Sequence, residues 1–482
     1  MDSLKSKAIS SVFWKLFERG GNAIVLMLVQ IVMARLLGPE QFGALAVMLV
    51  FVNLGNVFVQ SGLNTALIQA RDCADSDYST VFWMSFVISA CIYLVIFISA
   101  PFLADYYRIP SLLWPLRTLS LLLVVNSYNS VQVAKITREL KMKLIFVATM
   151  FSSVCSAFVG ICTAVCGGGL WALVAQQLTY QIVNCIALAF QVDWKPDFVF
   201  KTNRALMLFK FGWRLLLSSI IDQIYQSFAD LIIGKRFSAA SLGLVSQGKK
   251  YPLAVGSMLD SSIQPVMLSA VSRIQDDLPR VKQLVRRGLL TSTYLIVPIM
   301  TLFACIAPAL VPAILGPQWI DSVPFMQIYC IVYAFLPVHS TNLQALNGMG
   351  RSDLFLKLEL IKKTYGFAFV ILCAFLFRNV NLLVASYLLS AIISTFVNAF
   401  PNKRVIGYGY FEQLKDIAPS FLLSLVSSVV VMVVPVFNLG IAPTIIIQVL
   451  LFFAVYISLS ALFRLDALAY LVSTIKELVS SH

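Results

Sequence analysis

Charge is what this sequence has least of. Only 12% of its 482 residues are Asp, Glu, Lys or Arg, while 59% are hydrophobic; the surface of a water-soluble domain needs roughly a quarter charged residues. There are two histidines in the whole chain. No CxxC pair and no GxxxxGK[ST] motif occurs, so neither a zinc site, a redox dithiol nor an ATP-binding loop is implied. No polar stretch is long enough to be a soluble domain. These shortages exclude a soluble enzyme, a nucleic-acid binder and a secreted disulfide scaffold. The nine cysteines fit the same picture: all but Cys73 sit inside apolar runs as small hydrophobes. The +14 formal charge is spread through short loops, where it suits anionic lipid rather than nucleic acid.

What is abundant is apolar sequence. A hydrocarbon core about 30 Å thick takes about 20 residues of helix. Stretches meeting that length begin near residues 12, 42, 80, 112, 144, 169, 205, 239, 288, 321, 359, 381, 417 and 441. Lys5 and Lys7 precede the first as in a signal sequence, but Trp14, Lys15, Glu18 and Arg19 interrupt it and no small-residue cleavage site follows, so it reads as a retained span. Fourteen spans put both termini on one side. Alternate loops hold the basic residues: Lys135, Arg138, Lys141 and Lys143; Lys195, Lys201, Arg204 and Lys210; Arg273, Arg280, Lys282, Arg286 and Arg287; Arg351, Lys357, Lys362 and Lys363; Lys403, Arg404 and Lys415. The opposite loops are short, and the positive-inside rule makes both termini cytoplasmic. The loop ARDCADSDYS has more acid than base and is uninformative. Outer loops this short do not build an active site of their own, so no enzyme is expected and a membrane glycosyltransferase is disfavoured.

The chain also repeats itself. ARLLGPEQFG places Arg35 eight residues before Gly43, and GKRFSAASLG places Lys235 eight residues before Gly243. Ala100-Pro101 is matched by Ala307-Pro308, and Pro115 by Pro324. The expected organisation is an N-terminal six-helix lobe over residues 1–200, a C-terminal six-helix lobe over 201–403, and two added helices with a cytoplasmic tail over 404–482. Two parallel halves around a central cavity are a transporter architecture, with substrate between them and alternating access. A purely structural duplication reads the same way.

Ionisable and amide groups inside spans are costly and mark candidate sites. Lys15, Glu18, Arg19, Asn22 and Gln30 share one stripe of the first helix at helical spacing. Ser218, Asp222, Gln226 and Asp230 share one on the seventh. Ser246, Lys249, Asp260 and Gln264 share a face of the eighth, with Lys250 beside it. Substrate binding is assigned to Lys15, Arg19, Asn22, Gln30, Arg117, Lys249, Lys250 and Gln264, and ion coupling to Glu18, Asp222, Asp230 and Asp260. The bland alternatives stay open: Lys15 and Arg19 snorkelling to headgroups, Asp222 or Asp230 pairing structurally with Arg214 or Lys235, Arg117 capping an outer mouth, and His339 as a satisfied core histidine. Basic groups among amides and hydroxyls suit an anionic headgroup bearing sugars.

The run MARLLGPEQFG (33–43), followed by SGLNTALIQ (61–69), STVFW (79–83) and APFLADYY (100–107), resembles the polysaccharide transporter branch of the multidrug/oligosaccharidyl-lipid/polysaccharide flippase superfamily, and most of all its capsular, colanic acid and teichuronic acid exporters. LGLVSQGKKYP (242–252) matches more loosely, with Val245 in place of an aromatic and Lys249 and Lys250 at or beside an arginine position. The resemblance implies an all-α polytopic protein of the bacterial cytoplasmic membrane, without a cofactor. Its implied work is to move an undecaprenyl-diphosphate-linked oligosaccharide to the outer leaflet for exopolysaccharide, capsule or O-antigen synthesis, coupled to a proton or sodium gradient and working beside polysaccharide assembly proteins. A cation-coupled multidrug exporter of the same superfamily is the alternative, favoured by an acidic, aromatic cavity. A peptidoglycan-precursor flippase is a near neighbour, and an inert membrane scaffold is a weaker one.

Overall fold

The computed structural model describes residues 14, 21–22, 25–60, 62–70, 73–377 and 379–480. They form an all-α polytopic membrane protein, with no strand among the described residues. The helices are α1 (Val25–Leu36), α2 (Pro39–Gln60), α3 (Leu63–Gln69), α4 (Asp75–Tyr107), α5 (Leu113–Leu119), α6 (Leu122–Arg138), α7 (Met142–Val165), α8 (Leu170–Gln191), α9 (Thr202–Arg236) and α10 (Ala239–Arg273). They continue with α11 (Leu278–Ile314), α12 (Val323–Ala334), α13 (Leu336–Gly348), α14 (Ser352–Leu376), α15 (Val380–Ala399), α16 (Asn402–Val405), α17 (Tyr410–Val431), α18 (Ile441–Leu462) and α19 (Asp466–Ser480). By length and composition, nine stretches among the described residues can cross a membrane. The fourteen expected would add α1, the α5–α6 pair, α9, α10 and α14. Of these, α1, α5 and α6 are each shorter than 18 described residues, while α9, α10 and α14 are long enough and carry Asp222 and Asp230, Lys249 and Asp260, and Lys362.

Local chemistry sets the helix boundaries. Pro39 opens α2 with Glu40 in its first turn, where the ring needs no N–H partner and the carboxylate faces the positive end of the helix dipole. Asp277 begins α11 by accepting from the Arg280 amide (3.2 Å), and Asn379 does the same for α15 through Asn381 (2.8 Å). The turn between α7 and α8 is Gly167-Gly168-Gly169, with φ of +81° at Gly167 and +51° at Gly169. Side chains rarely adopt that backbone, which is why glycine stands there.

Contacts divide the chain into two compact units, Met1–Gly243 and Leu244–His482. In the first, α7 lies along α8, α6 packs on α4 and α8, and α9 packs on α2, α3 and α4. Tyr78, Phe82, Tyr128 and Trp194 form an aromatic knot in its core. In the second, α11 is the axis against which α12, α13, α17, α18 and α19 pack, while α14 pairs with α15. Its core clusters centre on Tyr408 with Val285, and on Tyr456 with Phe452.

The two units repeat one order of elements. A long helix (α4, α11) is followed by a 3-10 turn (Pro110–Leu112, Pro317–Ser322), then a span broken into two helices (α5 and α6, α12 and α13). Each long helix is also tied at its first turns to a later helix of its own unit. In the first unit Arg204 of α9 grips Asp77 of α4 with two hydrogen bonds (3.0 and 2.6 Å). In the second, Arg286 of α11 grips Asp416 of α17 (2.7 and 2.6 Å). The acid and base have exchanged helices, and α17 stands to α11 as α9 stands to α4.

The acidic loop that is uninformative for topology proves to be a fastening. Asp77 also accepts from the Ala74 amide (3.1 Å), Asp75 pairs with Lys135 (3.1 Å), and Ser76 accepts from Lys201 (2.7 Å). Arg138 donates to the Leu67 and Ala70 carbonyls (2.9 and 2.6 Å), closing the end of α3.

Candidate functional site

Helical spacing brings Asp260 and Gln264, one turn apart on α10, onto one face. The Gln264 amide donates to Asp260 Oδ2, and its carbonyl accepts from Gln344 of α13 (3.2 Å). Gln344 in turn accepts from Asn347 (3.5 Å). The face meets a cavity of 340 Å³ within the second unit, bounded by His339 and Ser340 of α13, Lys362 of α14 and Ser394 of α15.

Asp260 is 5% exposed, and its second oxygen, Oδ1, has no hydrogen-bond partner. The nearby Ser340 hydroxyl is directed at the Leu336 carbonyl (3.1 Å). Burying a carboxylate oxygen unpaired costs several kcal/mol unless a proton or a cation joins it. The rest of the lining is already committed: Lys362 pairs with Glu359, Ser394 with the Tyr365 hydroxyl (2.6 Å), and His339 Nδ1 with the Asn398 amide (3.2 Å). Among the described residues Asp260 is the carboxylate that lines this cavity, with the Ser340 hydroxyl beside it. Among the described residues no three His, Cys, Asp or Glu side chains converge; a small cation here would draw its other ligands from amide, hydroxyl and carbonyl oxygens.

The other sequence candidates are dispersed. Lys15, Glu18 and Arg19 lie outside the described residues. Asn22 accepts from Ser153 of α7 and donates to the Tyr180 hydroxyl of α8 (3.5 Å), a contact that ties helices together. Gln30 is buried on α1. Arg117 donates to the Phe97 carbonyl (3.1 Å) with its guanidinium 4.1 Å from the Phe97 ring centre, so it joins α5 to α4. Asp222 and Asp230 are half-buried on α9 and both have partners. Lys235, in the last turn of α9, donates to the Tyr106 carbonyl with its ammonium 3.8 Å from the ring centre. Lys249 is half-buried and Lys250 exposed on α10; among the described residues neither makes a hydrogen bond or an ion pair.

Sequence reading singles out Asp260 and Gln264 but misses Ser340, Gln344 and Ser394. Lys362, counted there with a basic loop, lies on α14 and reaches the cavity. The spacing of Ser340 and Gln344 matches that of Asp260 and Gln264 and was the available signal. It does not stand out because α13 is polar on more than one side, with His339, Thr341, Asn342 and Asn347 beside Ser340 and Gln344.

Comparison with known proteins fits this architecture. The family described as polysaccharide biosynthesis protein matches residues 32–324. A succinoglycan biosynthesis transport protein of Rhizobium meliloti is 25% identical over 342 residues, 71% of this chain and 69% of its own. The lipopolysaccharide biosynthesis protein WzxC of Escherichia coli is 24% identical over 89% of this chain and 87% of its own. The solved structure of the lipid II flippase MurJ in an inward closed conformation superposes with a TM-score of 0.76 at 13% identity, covering 96% of this chain and all of that one. The resemblance read from the motifs is borne out.

Proposed function

The chain belongs to the polysaccharide biosynthesis protein family, and from that premise we propose that it is a flippase for an undecaprenyl-diphosphate-linked oligosaccharide repeat unit. It carries the unit from the cytoplasmic to the outer leaflet of the bacterial cytoplasmic membrane, both termini inside, for exopolysaccharide, capsule or O-antigen synthesis. It acts as a transporter and not as an enzyme, by alternating access beside polysaccharide assembly proteins. The printed names of the relatives, biosynthesis and transport proteins of polysaccharides, support the substrate class.

The observation that carries the reading is the pair Lys249 and Lys250, set in α10 with no partner among the described residues. Ammonium groups inside spans are retained where a counter-charge arrives with the substrate, and a diphosphate supplies it. A cationic drug would be repelled there. Energy comes from a proton or sodium gradient, worth about 2.3 kcal/mol per charge per 100 mV, with Asp260 as the coupling carboxylate and Glu18, Asp222 and Asp230 as the further candidates.

The test is polysaccharide export in cells bearing Lys249→Ala, Lys250→Ala or Lys235→Ala. Export falls with either of the first two and is largely kept in the third, whose ammonium is spent on Tyr106. Wild-type export in all three removes the basic-site assignment.

A further inference from the structure

At the start of α11 a second polar cavity, of 270 Å³, opens against α19. Gln283, Arg286, Arg287, Thr291, Asp466 and Tyr470 line it. Arg286 is consumed by Asp416. Arg287 and Asp466 are not: both are exposed, and among the described residues neither makes a hydrogen bond or an ion pair, with each other or with anything else. The Arg287 guanidinium only lies 5.8 Å from the Tyr470 ring centre. One cavity thus presents an uncommitted cation and an uncommitted anion, held too far apart to satisfy each other.

The surroundings are those of a membrane surface. α19 docks through Ala467, Leu468 and Leu471 onto the cluster that holds Leu290 and Tyr456. Just before it, where α18 ends, Leu462 and Phe463 are 73% and 64% exposed, and on α19 itself Val472 is 42% exposed. An apolar flank beside a charged cavity, at the end of a span, is how a helix lies in the headgroup layer. Cavities with basic residues between helices on the cytoplasmic side of a membrane take lipid headgroups.

We propose that the cavity between α11 and α19 binds a zwitterionic lipid headgroup, its phosphate on Arg287 and its ammonium on Asp466. Arginine takes a phosphate through two parallel N–H donors. The choice of a zwitterion follows from Asp466: a purely anionic headgroup would bring its phosphate beside an unpaired carboxylate. The choice of a primary ammonium follows from the rest of the lining. An –NH3 group has three donors for the Asp466 carboxylate, the Thr291 hydroxyl and the Gln283 amide, where a quaternary ammonium has none. The ligand class is phosphatidylethanolamine. The assignment rests on the membrane orientation above and is independent of which glycan the protein carries.

The test uses the delipidated full-length protein, with native mass spectrometry after exposure to mixed micelles of phosphatidylethanolamine, phosphatidylglycerol or phosphatidylcholine. Wild-type protein retains phosphatidylethanolamine several-fold over the other two, and its unfolding temperature rises with that lipid. Arg287→Gln lowers retention of phosphatidylethanolamine and phosphatidylglycerol together, and Arg287→Lys keeps most of it, which separates lost charge from lost folding. Asp466→Asn brings phosphatidylethanolamine down to the level of phosphatidylglycerol. Equal retention of the three lipids by wild-type protein, or an unchanged preference in both Arg287→Gln and Asp466→Asn, overturns the proposal. Saturation by soluble phosphoethanolamine as readily as by the lipid overturns its membrane half and assigns the cavity to a free headgroup.

Discussion

Gly43 and Gly243 meet backbone to backbone. A Cβ on Gly43 would strike the Ala239 carbonyl, one on Gly243 would strike the Pro39 carbonyl, and each would stand 3.0 Å from the other glycine's amide nitrogen. The contact is reciprocal: the first turn of α2, Pro39 to Gly43, lies on the first turn of α10, Ala239 to Gly243. These are the same positions that align the two halves of the sequence repeat. A landmark read as an echo in the sequence is thus also a site of close approach, where only glycine lets the two backbones in.

Alanine at either position must therefore displace a helix, because backbone carbonyls cannot swing aside as side chains do. Gly43→Ala and Gly243→Ala are each expected to cost at least about 1–3 kcal/mol, read as a fall in unfolding temperature of the purified protein. Gly21→Ala is the control. Its Cβ would sit 3.6 Å from the Met150 sulfur, an ordinary contact, and its unfolding temperature should match wild type.

The two fastenings with exchanged charge make a second test. The Asp77 side chain is 4% exposed and that of Asp416 9%, so removing the arginine of either pair leaves a carboxylate in a poorly solvated place. Arg204→Asp or Arg286→Asp should destabilise by about 3–5 kcal/mol. The reversals Asp77→Arg with Arg204→Asp, and Arg286→Asp with Asp416→Arg, should recover part of the loss. In the first pair recovery is limited, because Asp77 also accepts from the Ala74 amide and arginine does not. No recovery in the second pair would mean that Asp416 acts mainly through the Tyr408 hydroxyl, which it accepts at 2.6 Å.

Asp260 gives the third. Asn at this position still accepts from Gln264 but neither ionises nor carries a proton, so Asp260→Asn should fold normally and lose gradient-driven transport by at least about tenfold, with the barrier raised by about 1.4 kcal/mol or more. Asp260→Glu should restore part of it. Transport by Asp260→Asn at the wild-type rate would remove Asp260 from ion coupling and leave it a packing residue.

How much of this was legible in the sequence differs by level. Many helix starts were: those expected near 112, 144, 169, 239, 381 and 441 fall within two residues of the observed starts of α5, α7, α8, α10, α15 and α18, while those expected near 80, 288, 359 and 417 fall five to ten residues inside α4, α11, α14 and α17, because these helices begin in polar turns ahead of their apolar runs. The spacing of Asp260 and Gln264 was enough to put them on one face. Their partners were not legible. Gln344 lies 80 residues from Gln264, and Gln413, which exchanges two hydrogen bonds with buried Asn342 (2.8 and 2.9 Å), lies 71 residues from it. Periodicity names a face and is silent on what that face meets. Arg117 shows the converse: its charge in a span suggested a lining, and its position against the Phe97 carbonyl and ring makes it a tie between helices.

The most direct test of the central claim is translocation of a labelled undecaprenyl-diphosphate oligosaccharide in inside-out vesicles, with and without the protein and with the proton and sodium gradients collapsed in turn. Movement is expected to require the protein, to slow when one gradient is removed, and to be lost with Lys249→Ala. No movement of any of several lipid-linked oligosaccharides, together with extrusion of a cationic dye, would contradict it and point to a drug exporter.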